Sequence, residues 1–235
     1  RRAIIAAMNL RTALAGIVAA LAFTAAAGPD AASLWDLARA KRDIHVFSTL
    51  FTAQNVKEHL ANDAGIDAAI AWCRATGVTR VFIETFRGGY QADRGTLVHA
   101  RDRFRSAGFE VSGCITTVRV GKPSTGWKDT ISCYTDLPTQ DRLQAIFEFA
   151  AGLFDEIMID DFWFPDCACP ACDAARQARR EWAGSATYQV SGDTWEDYRC
   201  ELMVRLSRDR IFAPARKVNP RVKIIIKYPQ WYDNF

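Results

Sequence analysis

Val78-Thr79-Arg80-Val81-Phe82-Ile83-Glu84-Thr85-Phe86-Arg87-Gly88-Gly89 decides how the chain is organised. The run from Val78 to Phe86 is apolar and rich in strand formers, and the glycine pair closes it, so it predicts a short buried strand. Before it, Ile66, Ala69, Ile70 and Cys73 recur at helical spacing and stop at Gly77. After it, Leu97, Ala100, Arg101 and Phe104 do the same and stop at Gly108. A buried strand between two one-faced helices is a repeating unit of a parallel sheet. The pattern extends both ways. Ile44 to Phe51 predicts a first strand, Phe109 to Val120 a third, Glu156 to Phe164 a fourth and Val222 to Tyr228 a fifth. Leu143, Ile146, Phe147 and Ala150 mark a helix before the fourth strand. Trp195, Tyr198, Leu202 and Leu206 mark one before the fifth, ending around Asn219-Pro220.

Right-handed crossovers place the loops that follow the strands along one edge of such a sheet. The loops after the third and fourth strands are long, and barrel enzymes carry their chemistry on that edge. An eight-fold barrel takes about 250 residues, whereas this chain stops at Phe235, just after the fifth strand. The fold expected is therefore α/β: a (β/α)8 TIM barrel truncated after its fifth strand, with residues 44–235 its N-terminal part. Two open sheet edges would leave such a piece poorly stable alone. The alternative is a complete five-stranded doubly wound sheet. No Gly-x-Gly-x-x-Gly turn follows the first strand, which weakens a nucleotide-binding version.

The chain has 235 residues, of which 49% are apolar and 24% charged, a composition that excludes disorder and a small disulfide knot. Its net charge of +3 is spread without a basic block and leaves no nucleic-acid footprint. The start is different. Arg1, Arg2 and Arg11 precede the apolar run Thr12 to Ala27, which ends in Ala25-Ala26-Ala27 before Gly28-Pro29-Asp30. This order predicts a signal peptide over residues 1–27, with translation starting at Met8, followed by a linker over 28–43. The mature protein would be secreted or periplasmic and have no membrane span.

Asp160-Asp161-Phe162-Trp163-Phe164-Pro165-Asp166-Cys167-Ala168-Cys169-Pro170-Ala171-Cys172 carries the most specific signal. Three cysteines this close converge on one point, and Zn²⁺ takes four such ligands in a tetrahedron. Cys133, in the preceding long loop, is one candidate for the fourth, and Cys200 is the other. Disulfides are the alternative that export would favour, although seven cysteines leave at least one unpaired. In either case the cluster staples loops, because a closed four-thiolate site has no open position for substrate. Cys73 and Cys114 fall on core positions.

Carboxylates are the catalytic candidates. Ile157-Met158-Ile159 runs directly into Asp160-Asp161, and strand alternation turns one of the pair towards the barrel mouth. Both side chains turned away and locked into salt links would remove this reading. Glu84 ends the second strand in the same way, with two readings: it binds a substrate hydroxyl or pairs with Arg87. Lys227 ends the fifth strand, and a cation there would hold a carboxylate ionised. Trp163, Tyr228 and Trp231 supply aromatic faces, so Glu84, Arg87, Trp163, Lys227, Tyr228 and Trp231 are the candidate substrate-binding residues. His45 falls at the end opposite the mouth, and His59 and His99 show no partner spacing.

The run from Asp160 to Cys172, with Lys227-Tyr228-Pro229-x-Trp231 after the next strand, resembles secreted bacterial glycoside hydrolases with a TIM-barrel domain. Cys167-x-Cys169-x-x-Cys172 is also similar to the zinc cluster of family 42 β-galactosidases, which takes a further cysteine from an earlier loop, and this supports Cys133. Those enzymes carry Asn-Glu where this chain has Asp160-Asp161. An Asp there looks more like retaining α-glycosidases, in which it is the nucleophile and the acid comes from a later strand. The resemblance covers roughly residues 44–235. It implies a carbohydrate substrate and two-carboxylate hydrolysis, with the second carboxylate on a strand this chain lacks, no organic cofactor and at most a structural zinc. The rivals are a non-catalytic carbohydrate-binding barrel and a metal-dependent polysaccharide deacetylase, which three scattered histidines argue against.

Overall fold

A computed structural model describes residues 32–178 and 194–228. The predicted export segment, 1–27, lies outside them, as does Trp231. The elements run α1 (Leu34–Ala40), β1 (Ser48–Phe51), α2 (Ala53–His59), α3 (Asp63–Ala75), β2 (Arg80–Arg87), β3 (Tyr90–Gln91), α4 (Arg94–Ser106), β4 (Glu110–Ile115), α5 (Leu137–Ala151), β5 (Glu156–Ile159), α6 (Pro170–Gln177), α7 (Trp195–Leu206), α8 (Ala213–Val218) and β6 (Lys223–Ile226). A π-helical turn over Ser207–Phe212 joins α7 to α8.

Most of the described helices begin where a short polar side chain caps them; α6 and α8 begin without such a cap. Asn62 accepts from the Gly65 amide, Asp93 from Thr96 and Asp136 from Thr139. Buried Leu97, Ala100 and Phe104 line one face of α4, and Leu143, Ile146, Phe147 and Ala150 one face of α5. Gly77 and Gly108 follow α3 and α4 with φ of 70° and 93°, a conformation that lets the chain leave each helix and enter the next strand.

Five strands pair in parallel in the order β1-β2-β4-β5-β6, and β3 is a short antiparallel return on β2. Apart from the short β3, every parallel neighbour is the next strand in sequence. Doubly wound sheets reverse their order at a switch point, and this one does not. The fold is α/β with a parallel sheet and helices, compatible with part of a barrel wall. Among the described residues β1 and β6 each pair on one side. No described helix is long and apolar enough to cross a membrane.

The segment expected to be a linker contains α1, capped by Ser33, with Trp35 buried against Phe109 (centroids 4.6 Å apart). The predicted strands are longer than the real ones, because polar residues that follow an apolar run cannot be told from strand by alternation alone. β4 ends at Ile115 rather than Val120, and β5 at Ile159 rather than Phe164. Phe162 has a φ of 70°, which no strand residue adopts.

Strand register sorts the side chains into two faces. One face packs on the helices and includes Val81, Ile83, Ile115, Ile157 and Ile159. Gly113 of β4 lies so near Phe154 that a Cβ there would stand 2.7 Å from the ring. The other face holds Arg80, Phe82 and Glu84 of β2, Ser112 and Cys114 of β4 and Met158 of β5, aligned by the parallel pairing. Its N-terminal end is tied by Arg80, which bonds both Ser112 and Glu156. Its C-terminal end carries the candidate site.

Candidate active site

Three strands, β2, β5 and β6, deliver charged side chains to one spot at their C-terminal ends, and β4 adds a hydroxyl. Glu84 comes from β2 and is 0% exposed. A strand alternates with period two, so Arg87, three residues on, would ordinarily face the other way. A bulge between Glu84 and Phe86 shifts the register and returns Arg87 to the Glu84 side. Arg87 Nε then donates to both Glu84 oxygens, at 3.1 and 2.9 Å. The Ala53 amide at the start of α2 donates to Glu84 Oε2 at 2.7 Å, and the Thr116 hydroxyl donates to Oε1. Of the two readings of Glu84, the ion pair is the one these contacts support, because Arg87, Thr116 and the Ala53 amide occupy both oxygens of a wholly buried carboxylate.

Arg87 reaches on to the next strand but one, where its Nη2 donates to Asp160 Oδ2 at 2.8 Å. Lys227, just past β6, donates to Asp160 Oδ1 at 2.8 Å. Thr116 stands 3.4 Å from Asp160 Oδ2. Asp160 is thus 4% exposed with both oxygens engaged. Asp161 differs: it is half-buried, Lys227 Nζ lies 3.4 Å from its Oδ2, and its Oδ1 is buried with no hydrogen-bond partner among the described residues. Adjacent residues of one chemical type have been put to two uses. Asp160 is part of an ion-paired chain Glu84–Arg87–Asp160–Lys227, whereas Asp161 keeps the more exposed side chain and meets Lys227 alone among the described residues.

Burial pushes the Glu84 carboxyl above its ordinary range, and Thr116, Arg87 and the Ala53 amide offset this only in part. Burial pushes Asp160 up too, but Lys227, through its hydrogen bond and charge, and Arg87 outweigh it and hold the carboxyl below the usual range. Lys227 is raised chiefly by its hydrogen bond to Asp160. A carboxyl depressed in the folded state adds stability that is complete above the unfolded-state value, near 3.9, and lost as pH falls through the folded one. Glu84 has the opposite sign, since a raised folded value makes its ionisation costly at higher pH. The acid limb of stability, between about pH 4.5 and 2.5, is therefore expected to be steeper in the wild type than in Asp160→Asn. Urea midpoints across that range check this, and parallel slopes would show that Asp160 does not control the limb.

The other candidates divide. Tyr228 follows Lys227 and is exposed. Trp163 was expected to offer a stacking face, but it is 7% exposed, packs edge-on against Tyr134 at 5.1 Å and donates from Nε1 to Ser207 at 3.2 Å. From there it orders the loop and presents no open face. Thr116 and the α2 amide were not anticipated. Thr116-Thr117 directly follow the apolar end of β4, as Asp160-Asp161 follow that of β5, and this shared position was the available signal. A strand read through to Val120 hid it.

The loop after Asp161 is anchored at several points. The Thr117 hydroxyl donates to the Phe162 carbonyl at 3.0 Å and supports that residue's positive φ. Further along, Cys133, Cys167, Cys169 and Cys172 are all buried, with sulfur atoms within 4.8 Å of one another. The Cys133–Cys172, Cys169–Cys172 and Cys133–Cys169 separations are 3.5, 3.6 and 3.9 Å. A tetrahedron built on Zn–S bonds of about 2.3 Å has edges of about 3.8 Å, so this donor set fits a thiolate-bound ion. The hydrogen bond from Cys172 lowers the Cys133 thiol to about 5 despite burial, while burial raises Cys167. Thr135 lies 3.1 Å from Cys172 Sγ and 2.6 Å from the Tyr198 hydroxyl, which joins the cluster to α7. The other candidate for the fourth ligand, Cys200, is exposed on α7 and outside this group.

Three comparisons bear on these features. A family model described as "Probable glycosyl hydrolase, catalytic domain" matches residues 32–235. An uncharacterized protein of Saccharolobus solfataricus is 26% identical over 187 residues, covering 74% of this chain and 31% of the relative. The chain thus spans about a third of the length of that curated relative. The crystal structure of a hypothetical protein from Ruminiclostridium thermocellum superposes with a TM-score of 0.48 at 13% identity, covering 76% of this chain and 96% of the other.

Proposed function

The chain belongs to the probable glycosyl hydrolase catalytic-domain family, and from that membership we propose that it supplies part of the active site of an O-glycosyl hydrolase acting on oligo- or polysaccharide. The observation that carries the assignment of residues is the division of labour between two neighbouring aspartates. Asp161, whose side chain is 23% exposed against 5% for that of Asp160, is assigned as the carboxylate that meets substrate. Asp160, held by Arg87 and Lys227, fixes the end of β5 and places Lys227 beside Asp161.

Hydrolysis of a glycosidic bond uses two carboxyl groups. One protonates the leaving oxygen, and the other attacks the anomeric carbon or activates water. We assign Asp161 to the member that works as a carboxylate, because its neighbour at 3.4 Å is the Lys227 cation. The acid is assigned to a later strand of a (β/α)8 barrel of which residues 44–235 form the first part; the greater length of the curated relative supports this. Cys133, Cys167, Cys169 and Cys172 would hold a structural zinc ion, and its chemistry would be to staple the two long loops without touching substrate. The basic start and small-residue end of residues 1–27 support a cleaved export leader, and mass spectrometry of the mature protein is expected to find its N-terminus at Gly28.

One observation favours a second reading, a carbohydrate-binding barrel without catalysis: Glu84 and Asp160 are both consumed by ion pairs. Assaying the full-length protein and its Asp161→Asn variant for hydrolysis and for binding separates the two. Loss of turnover with binding retained supports the hydrolase. Binding by both proteins with turnover by neither supports the second reading.

A further inference from the structure

Arg87 is held in place more firmly than an ion pair at a strand end requires. The bulge in β2 turns it to the Glu84 side, and Tyr90 of β3 pairs with it. The Gln54 side-chain amide of α2 donates to its carbonyl at 3.3 Å. Its Nε is gripped by both oxygens of Glu84, which the Ala53 amide and Thr116 hold in turn. Glu84 is wholly buried, so swinging the guanidinium away would strand a carboxylate out of water. Fixed in this way, Arg87 extends Nη2 to one oxygen of Asp160, Oδ2, and leaves the other, Oδ1, to Lys227.

Lys227 therefore stands between two aspartates, 2.8 Å from Asp160 Oδ1 and 3.4 Å from Asp161 Oδ2. Its side chain is half exposed on a flexible stem, so its place is a balance of the two attractions. While Arg87 supplies part of the positive charge that Asp160 needs, Lys227 is left within reach of Asp161. Without that contact both Asp160 oxygens would compete for the ammonium and draw it off. Cys114 also faces this chain of charges, 3.9 Å from Glu84 Oε1, but burial pushes its thiol far up, so it adds no charge. We propose that Arg87 is a positioning residue: it holds Asp160 so that Lys227 stays beside Asp161, and thereby keeps Asp161 ionised without touching it or the substrate. This deepens the hydrolase reading, on which it rests for the role of Asp161, and it makes a residue of β2 govern the pH range in which the site works.

The test is a pH titration, followed by NMR, of full-length protein labelled with ¹³C at its aspartate side-chain carboxyls, in which the Asp161 signal is the one missing from Asp161→Asn. Arg87→Lys keeps the charge but cannot span Glu84 and Asp160 at once, since an ammonium is a single point where the guanidinium is a fork. It is expected to move the Asp161 midpoint up by about half a pH unit, roughly a threefold change, and Arg87→Met by at least as much. The half-exposed Lys227 keeps both effects at the low end of what a neighbouring charge produces. Arg80→Met, which removes a cation from the other end of the same strand face, should leave the midpoint in place. The acid limb of kcat/KM on a hydrolysed sugar should move with the midpoint. Unchanged midpoints in both Arg87 variants overturn the proposal. So does a shift in Arg87→Met with none in Arg87→Lys, which would show the charge alone acting through space. If Arg87→Met does not fold, Arg87→Lys decides alone. A shifted midpoint in Arg87→Lys, in a protein whose wild type hydrolyses no sugar, upholds the positioning and defeats the hydrolase reading alone.

Discussion

Asp161→Asn in the full-length protein is expected to lower turnover of a cognate oligosaccharide by about 10³-fold or more, the scale on which removing a positioned carboxylate acts. Stability should stay within about 1 kcal/mol of wild type, because among the described residues the side chain of Asp161 makes one hydrogen bond, to Lys227 at 3.4 Å. Asp160→Asn should do the reverse. It removes the anion that Arg87 and Lys227 share, and leaves Arg87 with Glu84 alone and Lys227 with Asp161 alone. A loss of about 2 to 3 kcal/mol is expected, below the figure for fully buried pairs because Lys227 is half exposed and screened by water. Initial rates and urea titrations of both variants give the pattern. If Asp160→Asn abolishes turnover in a fully stable protein while Asp161→Asn keeps its rate, the two roles have been assigned the wrong way round.

The second large effect is expected at the cysteine cluster. Purified protein should carry about one zinc per chain, and Cys172→Ser should lose it. Cys172 is the thiol nearest both Cys133 and Cys169 and also faces Thr135, so its loss is expected to free both loops. A stability loss of about 3 kcal/mol is expected, with a fall in melting temperature of roughly 10 °C. Proteolysis should then cut within 120–136 or 161–169, the segments the cluster joins. Cys200→Ser should leave metal content and stability unchanged, since its side chain lies outside the group. Metal analysis, thermal unfolding and limited proteolysis test this together. Substoichiometric metal alongside disulfide-linked peptides containing Cys133, Cys167, Cys169 or Cys172 would replace the ion by covalent bridges.

Both effects start from local sequence features whose outcome is not local. Cys167-x-Cys169-x-x-Cys172 announces a ligand group because three thiols within six residues cannot disperse. The choice of Cys133 over Cys200 as the nearby fourth thiol follows from the β4 and β5 loops leaving adjacent strands on the same edge. Ile157-Met158-Ile159-Asp160-Asp161 announces carboxylates at a strand end, and the pairing of β5 between β4 and β6 puts them there. What became of each depended on cations far along the chain, Arg87 and Lys227. Arg87 itself was placed by a bulge, an extra residue that no alternation of apolar and polar side chains records. Trp163 had the composition of a binding face, but it was claimed by Tyr134 and Ser207.

Periodicity by itself determined the parallel α/β order, because a side chain's burial on a helix or strand face repeats every few residues and so is written into neighbouring positions. It also set the edge on which Asp160, Asp161, Lys227 and the cysteines would gather. Only the tertiary structure decided which carboxylate is spent in ion pairs, which thiol closes the cluster and that Trp163 is buried. Each of those outcomes is fixed by a partner brought from a distant strand or loop, and a contact across space leaves no mark on the residues beside it in the chain.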